Sequence, residues 1–282
     1  MKTSIVMTAY NVGEYIEQAM KSVLAQSHRE LELVVVLDAP TDNTAEVVKS
    51  VEDERIKVIE NAENLGAGAS RNVGIEAARG EYVICVDGDD YLGEDFIESL
   101  VKEAEATDAD IIVGGLSIIR DNGAYERVCY GSMTKEGEEK YVGYRQERVP
   151  FINNKLIRRS LYKKVPYSTR RFIEDLPTYN KILYFASKVA YVNNDGYFYR
   201  QHDKSLLHEA DQFKHMLFNA LFYQDVIKFY EEHDKELLQK LGYAQGYIQM
   251  VQGMKALKPT AEQAEKFRDE WMEFSLGLLQ GL

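Results

Sequence analysis

Short apolar runs rich in Val and Ile recur through the first part of the chain, at Ser4–Thr8, Leu31–Leu37, Arg55–Ile59, Glu81–Val86 and Asp110–Val113. Runs of this length and β-branched content predict buried strands. Between them the apolar spacing changes. In Glu14–Gln26 the residues Tyr15, Ile16, Ala19, Met20, Val23 and Leu24 recur on one helical face, which predicts a core-facing helix. Asn43-Thr-Ala-Glu46 has the outline of a capping box ahead of Val47 and Val48, and Gly80 is placed to close a helix carrying Arg71 through Arg79. Alternation of strand and helix predicts an α/β fold with a doubly wound, mostly parallel sheet. Such sheets bind ligands at the carboxyl ends of their strands, where this chain carries Tyr10-Asn11, Asp38, Asn64 and Asp87–Asp90.

After Gly114 the pattern changes. Ile118–Arg120 and Tyr125–Val128 flank Asp121-Asn122-Gly123, a sequence suited to a tight hairpin. Residues 131–149 are polar and contain Gly; they read as a loop, either a solvated connection or a lid over a bound molecule. Phe151–Lys164 reads as a helix, Phe172–Pro177 leads into another, and Lys188–Val192 and Gly196–Arg200 read as strands. From about Asp211 three helical segments are expected, broken near Asp234 and at Lys258-Pro259. We expect a catalytic domain over 1–205, with halves at about 1–115 and 116–205, and a helical appendage over 206–282. Packing on the first domain is the default for the aromatic and Met-rich faces of that appendage; a homodimer or a membrane contact is the alternative.

The chain has 282 residues, 45% of them hydrophobic, and a formal charge of -12. It is long enough to bury a substantial core. Its acidity argues against nucleic-acid binding, which needs a basic face. Cys85 and Cys129 are too few and too far apart to suggest a disulfide framework or a zinc site. With no apolar run near the roughly 18 residues a membrane span requires, the expectation is a cytoplasmic protein, with peripheral association at the inner face of the membrane left open.

The chemistry concentrates in Asp87-Gly88-Asp89-Asp90, directly after the strand-like Glu81–Val86. Three carboxylates at one strand end repel one another, and a divalent cation relieves them. Hard oxygen ligands suit Mg²⁺ or Mn²⁺ better than Zn²⁺. Asp and Gly also form ordinary turns, so the motif alone leaves both readings open. Gly66-Ala-Gly68 with Gly74 does not have dinucleotide-binding spacing, and it follows the third strand.

Taken in order, Ser4–Asn11, Tyr15-Ile16, Ser22–Gln26, Leu37–Asp42, Asn64–Gly74, Ala78–Tyr82, Asp87–Asp90, Asn154–Leu156, Glu174-Asp175 and Tyr199–His202 resemble the blocks of family 2 glycosyltransferases, in particular those of bacterial surface-polysaccharide synthesis. The resemblance covers roughly residues 3–205. It implies a GT-A type fold and inverting transfer of a sugar from a nucleotide-sugar donor to a saccharide or lipid-linked acceptor. Ala9 stands where the family commonly has Pro, Leu37 where it has an acidic residue, and Ala39-Pro40 where it has Gly-Ser.

The resemblance implies roles for individual residues. Asp89 is a direct metal ligand, with His202 able to complete the shell; Asp87 contacts ribose or metal-bound water, and Asp90 orients the site or contacts diphosphate. Asp38 can accept the imide hydrogen of uracil, Tyr10 offers a stacking face, and Arg71 is a cationic fork near the nucleotide. Thr8, Asn64 and Gly88 complete the nucleotide-binding set. Asp175 is the base that inversion requires, with Glu174 supporting it; acidic residues also favour helix starts for electrostatic reasons alone. Arg200 is expected at the diphosphate. Lys155, read as helical with Arg158 and Arg159, is expected at an acceptor phosphate. Two rivals remain: a nucleotidyltransferase making the nucleotide sugar, and a non-catalytic nucleotide- or sugar-binding protein.

Overall fold

The structure, a computed structural model, describes residues 1–146, 151–169, 174–202 and 212–256, together with 260, 265 and 268. The chain runs β1 (Thr3–Ala9), α1 (Ile16–Leu24), β2 (Leu31–Leu37), α2 (Thr44–Ser50), β3 (Ile56–Glu60), α3 (Ala67–Ala77), β4 (Tyr82–Asp87), β5 (Tyr91–Leu92) and α4 (Phe96–Thr107). It continues through β6 (Ile111–Val113), β7 (Leu116–Arg120), β8 (Tyr125–Val128), β9 (Met133–Glu136), α5 (Glu139–Gln146), β10 (Lys155–Arg158), α6 (Arg159–Lys164), α7 (Asp175–Phe185), β11 (Lys188–Tyr191) and β12 (Tyr197–Gln201). Then come α8 (Gln212–His233), α9 (Lys235–Leu241) and α10 (Tyr243–Ala256).

Among the described residues one sheet has eight strands in the order β3-β2-β1-β4-β10-β6-β11-β9. Strands β3, β2, β1 and β4 pair in parallel. The runs of β1, β2, β4 and β6 are buried, as parallel strands covered by helices must be, and Ile5, Val6, Met7 and Leu33 to Val36 are fully enclosed. The run at Arg55–Ile59 is a correction, because β3 is the edge strand and is half exposed, with Val58 on the surface. In register, Ala9 lies opposite Leu37 and Thr8 opposite Asp87. Tyr10, Asp38 and the Asp87–Asp90 turn therefore leave the sheet along one carboxyl edge. A four-stranded sheet, β5-β12-β7-β8, starts from that turn. Its β7–β8 hairpin closes at Asp121–Gly123, where Gly123 takes φ +78°.

Four further local expectations are corrected. Phe151–Lys164 is not one helix: Lys155–Arg158 inserts antiparallel between β4 and β6, and only then does α6 begin. A short apolar run such as Leu156-Ile157 fits either period, and the ladder bonds on both sides decide it. The loop expected at 131–149 instead contains β9, paired with β11 at the sheet edge, and α5; residues 147–150 lie outside those described. Asn43 makes no side-chain cap on α2; Asp42 Oδ1 instead accepts from Thr44 N at 2.9 Å and from Thr44 Oγ1. Gly80 is not a helix stop, since α3 ends at Ala77 in an extended Ala78. A Cβ on Gly80 would stand 2.6 Å from Ser4 N, so this is a close approach of backbones.

The chain divides into two compact units, Met1–Asp203 and Lys204–Leu282. In the second, Asp234 caps α9 by accepting from Leu237 N at 2.9 Å, and Gly242 ends it at φ +67°. The break near Asp234 follows expectation; Lys258-Pro259 lies outside the described residues. The rings of Phe222, Tyr223, Tyr230 and Tyr243 pack together, and Gln224 Nε2 donates to Tyr247 Oη at 2.7 Å. No helix among the described residues is long and apolar enough to cross a membrane.

Candidate active site

At the end of β1, Tyr10 is exposed, and Asn11 turns the chain with φ +53°. Its Oδ1 accepts from Thr41 N at 2.8 Å, tying this turn to the one after β2. Asp38, only 3% exposed, takes three donors: Leu65 N and Asn61 Nδ2 on Oδ1 and Gly66 N on Oδ2, at 2.8–2.9 Å. It thereby shapes the entry to α3, and Asn64 Nδ2 reaches the Asp38 carbonyl at 3.4 Å. A carboxylate has about four acceptor directions, so one remains. Ala39 next to it adopts φ +51°, a left-handed conformation disfavoured for any residue with a Cβ.

The Asp87–Asp90 turn is held from several directions. Gly88 N donates to Thr8 O at 3.1 Å, and a Cβ there would meet Ile16 Cδ1 and Val12 Cγ2 at 2.9 Å, so those side chains would have to shift. Asp87 is bound on both oxygens, by Arg71 Nη2 and by Asn153 Nδ2, each at 2.7 Å. Asp90 points inward, where it accepts from Tyr197 Oη at 2.5 Å and from Arg200 N at 2.9 Å. Burial, then Asp89 and Asp87, push its carboxyl well above the usual range, against the pull of those two donors.

Asp89 is partly exposed, and His202 Nε2 lies 3.1 Å from its Oδ2. The His202 ring stacks on Tyr15 at 5.0 Å. Burial and the neighbouring Asp87 raise the Asp89 carboxyl above its ordinary value, while His202 acts the other way. Arg200 lies over Tyr15 at 4.8 Å and Tyr91 at 5.4 Å, with Nε on the Asp89 carbonyl at 2.9 Å and Nη2 on Gln18 at 2.8 Å. Its guanidinium braces the turn.

Opposite stands α7, opened by Glu174 and Asp175. Asp175 Oδ1 accepts from Leu176 N at 2.8 Å. Burial, then the Glu174 charge, hold its carboxyl up to about 7, with Arg71 pulling the other way. Arg71 Nη1 meets Glu174 Oε1 at 2.5 Å, so one guanidinium binds both Glu174 and Asp87. Its side chain is 5% exposed and lies over the Tyr167 ring at 5.4 Å. Burial opposes the Arg71 charge, but Asp87 and Glu174 more than offset this and keep its pKa well above the ordinary value. One turn earlier on α3, Gly68 would place a Cβ 3.0 Å from the Glu174 side chain and 2.0 Å from Ser168 O, which explains a glycine there.

Among the described residues no group of three or more His, Cys, Asp and Glu side chains converges in a way that could hold a metal. The Asp89 carboxylate and the His202 imidazole lie 3.1 Å apart and are the pair that could contribute to a cation, while Asp87 and Asp90 each accept two hydrogen bonds from the protein. Two such donors fit a cation that takes the rest of its shell from substrate phosphates and water, the usual way Mg²⁺ and Mn²⁺ are bound at phosphate sites.

Thr8, Tyr10, Asp38, Asn64, Arg71, Asp87, Gly88, Asp89, Glu174, Asp175, Arg200 and His202 thus all stand on or beside one carboxyl edge. Lys155 is a correction. It lies in β10 and not on a helix, is fully buried, and donates to the Phe151 carbonyl and to Asn154 Oδ1. Its ammonium also lies 4.6 Å from the centre of the Tyr179 ring. It is an internal tie and presents no charge to an acceptor phosphate. Arg158 likewise bridges Glu81, Asp108 and Asp110. Asp90 has both its oxygens turned to Tyr197 Oη and Arg200 N. Sequence reasoning missed Asn153, Tyr197 and Asn61. Asn153 adjoins the Asn154–Leu156 block, and that adjacency was the available signal.

The sequence profile of Glycosyl transferase family 2 matches residues 4–166, and the chain belongs to that family of glycosyltransferases. The chain is 29% identical over 217 residues to glycosyltransferase GlyG of Streptococcus pneumoniae serotype 4, covering 72% of each. It is 31% identical over 214 residues to EpsJ of Bacillus subtilis, a glycosyltransferase described as uncharacterized, with 72% of this chain and 62% of EpsJ covered. Against GlyA of the same Streptococcus it spans about a third of that protein's length, 34%. A crystal structure of residues 1–349 of S. aureus TarS with UDP-GlcNAc superposes with a TM-score of 0.67 at 20% identity, over 89% of this chain and 82% of that fragment. That likeness shows the fold, which is of the GT-A type.

Proposed function

We propose that this protein is a metal-dependent inverting glycosyltransferase that moves a sugar from a nucleoside diphosphate donor, UDP-linked by preference, to a saccharide or lipid-linked acceptor in surface polysaccharide synthesis. The single observation that carries this reading is the convergence of two acidic groups with different surroundings. Asp89 and His202 form one pair, Glu174 and Asp175 the other, and Asp87 and Arg71 join them. Related glycosyltransferases bear names from exopolysaccharide and teichuronic acid synthesis, among them succinoglycan protein ExoO and TuaG, and the TarS structure holds UDP-GlcNAc; both support the choice of donor and product class.

Asp89 and His202 would hold the cation, whose chemistry is to stabilise negative charge on the departing diphosphate. Asp38 has one acceptor direction left for the uracil imide, and exposed Tyr10 offers its ring beside it. Arg200 keeps the Asp89 carbonyl fixed, so that the turn does not yield when a phosphate is bound. Asp175 takes the proton of the attacking acceptor hydroxyl on the face opposite the leaving group, as inversion requires. Its elevated pKa makes it a stronger base than an ordinary carboxylate, while it remains largely ionised just above neutrality.

Calorimetric titration with UDP, GDP and CDP, each with Mn²⁺ and with chelator, tests the donor site. UDP binding that needs Mn²⁺ and is lost in Asp89→Ala is expected. If no nucleotide binds under either condition, the transferase reading gives way to that of a binding protein for another ligand.

A further inference from the structure

Arg71 bonds both Asp87 and Glu174. It enters from α3, a helix fixed at its N-terminus by the Asp38 carboxylate through the amides of Leu65 and Gly66. One arm goes to Asp87 on β4 and the other to Glu174 at the head of α7, 103 residues away in sequence. Its Nε is buried without a hydrogen-bond partner, a cost that two charge-assisted bonds must offset. The ring of Tyr167 covers one face. A buried guanidinium arranged this way has few rotamers open to it, and a lysine cannot reproduce its fork.

We propose that Arg71 is a positioning residue that binds donor-side Asp87 and acceptor-side Glu174 into one ion triad, fixing where the catalytic base beside Glu174 stands relative to the donor turn. This deepens the transferase reading and rests on it for the word base. The triad itself is a property of the folded chain without substrate. The charged groups acting on Asp175 are Glu174 from its own helix start, Arg71 from α3 and Asp87 from β4. Two are anionic and one is cationic, so the Arg71 charge is what lets Asp175 ionise beside the others. Without it, Asp175 would face two uncompensated carboxylates and hold its proton to higher pH.

The test is a ¹³C NMR titration of the side-chain carboxyls in the full chain, with the Asp175 signal assigned by its loss in Asp175→Asn. Arg71→Met should raise the Asp175 midpoint by about one pH unit or more, the usual reach of a charge at this range. Glu174→Gln should lower it by removing the adjacent like charge, and Arg71→Lys carries the test of the fork if Arg71→Met does not fold. Arg71→Lys, with charge but no fork, should fall between wild type and Arg71→Met. An Asp175 midpoint unmoved in Glu174→Gln and in whichever Arg71 variants fold overturns the proposal. Release of UDP from UDP-GlcNAc and UDP-glucose, measured in parallel, separates the two readings. Shifted midpoints with no turnover in wild type leave the triad standing and remove the transferase assignment. Normal turnover with unmoved midpoints does the reverse.

Discussion

The Tyr197 hydroxyl donates to Asp90 Oδ2 at 2.5 Å, and through this bond the four-stranded sheet grips the turn that ends β4. Both side chains are buried, Asp90 at 1% and Tyr197 at 2% exposure. Arg200 N holds the other oxygen of the same carboxylate. A buried carboxylate left with one donor loses stability, typically about 1 to 3 kcal/mol for an orphaned group. Tyr197→Phe should therefore lower the free energy of unfolding, measured by denaturant titration, by that amount. Because Asp90 serves the turn from behind, the same variant should keep UDP affinity within a few-fold of wild type. A large loss of affinity with no loss of stability would place Asp90 at the ligand after all.

The contact of His202 with Asp89 makes a second prediction. Asp89 and His202 are the groups proposed to hold the cation, so each should matter for the metal-dependent part of UDP binding. His202→Ala and Asp89→Asn should each weaken binding in Mn²⁺ by at least about 10-fold, the lower end of what even outer-shell partners of a metal contribute. Binding measured in chelator should change little in His202→Ala. Equal losses with and without Mn²⁺ would show that His202 supports the fold of the turn and not a cation.

Asp175 gives opposite pH dependences for activity and stability. Its folded pKa is pushed up to about 7 from an ordinary 3.8, by burial first and by Glu174 second. The folded chain binds the proton more tightly than the unfolded one, so this group's contribution to stability is present below the unfolded pKa and is lost as pH rises from about 4 through about 7. A base must be ionised, so kcat/KM for transfer should rise with pH over the upper part of the same window, with an acid limb near 7. Asp175→Asn should abolish transfer and flatten this share of the stability profile. Stability that falls towards low pH in the wild type and not in Asp175→Asn would contradict the sign.

The placement of several candidate residues at one sheet edge is legible in the sequence, and the reasons are local. Strands β1, β2 and β4 are unbroken Val- and Ile-rich runs, the pattern expected of parallel strands covered on both faces. Their ends fixed where Tyr10, Asp38 and Asp87 had to lie. The partners of those residues were not legible. Asp87 meets Asn153 from 66 residues away, and Asp90 meets Tyr197 from 107; no periodicity reports a contact across that separation. Lys155 misled for a different reason. A lysine beside Arg158 and Arg159 reads as a solvated helix face, yet the strand it occupies runs through the middle of the sheet, and its ammonium is satisfied by a carbonyl, an amide oxygen and the Tyr179 ring. Arg71 was read as a fork, but nothing in the sequence indicated that its two partners belong to opposite sides of the site.

The departure of Ala39 from glycine yields the last prediction. Ala39 takes φ +51° directly after Asp38, where a Cβ crowds the backbone at a cost of roughly 1 to 2 kcal/mol. Glycine removes that cost but loses roughly 0.5 to 1 kcal/mol more conformational entropy on folding. Ala39→Gly should thus raise stability by a net of up to about 1 kcal/mol, seen as a higher urea midpoint at unchanged slope. Asn11 is the control, because it also has positive φ. An asparagine tolerates that conformation, and its Oδ1 accepts from Thr41 N and Thr41 Oγ1. Asn11→Gly removes the acceptor that ties the β1 and β2 turns together, so it should destabilise, by about 1 kcal/mol. If both glycine variants move stability in the same direction, backbone strain at Ala39 is not the controlling factor.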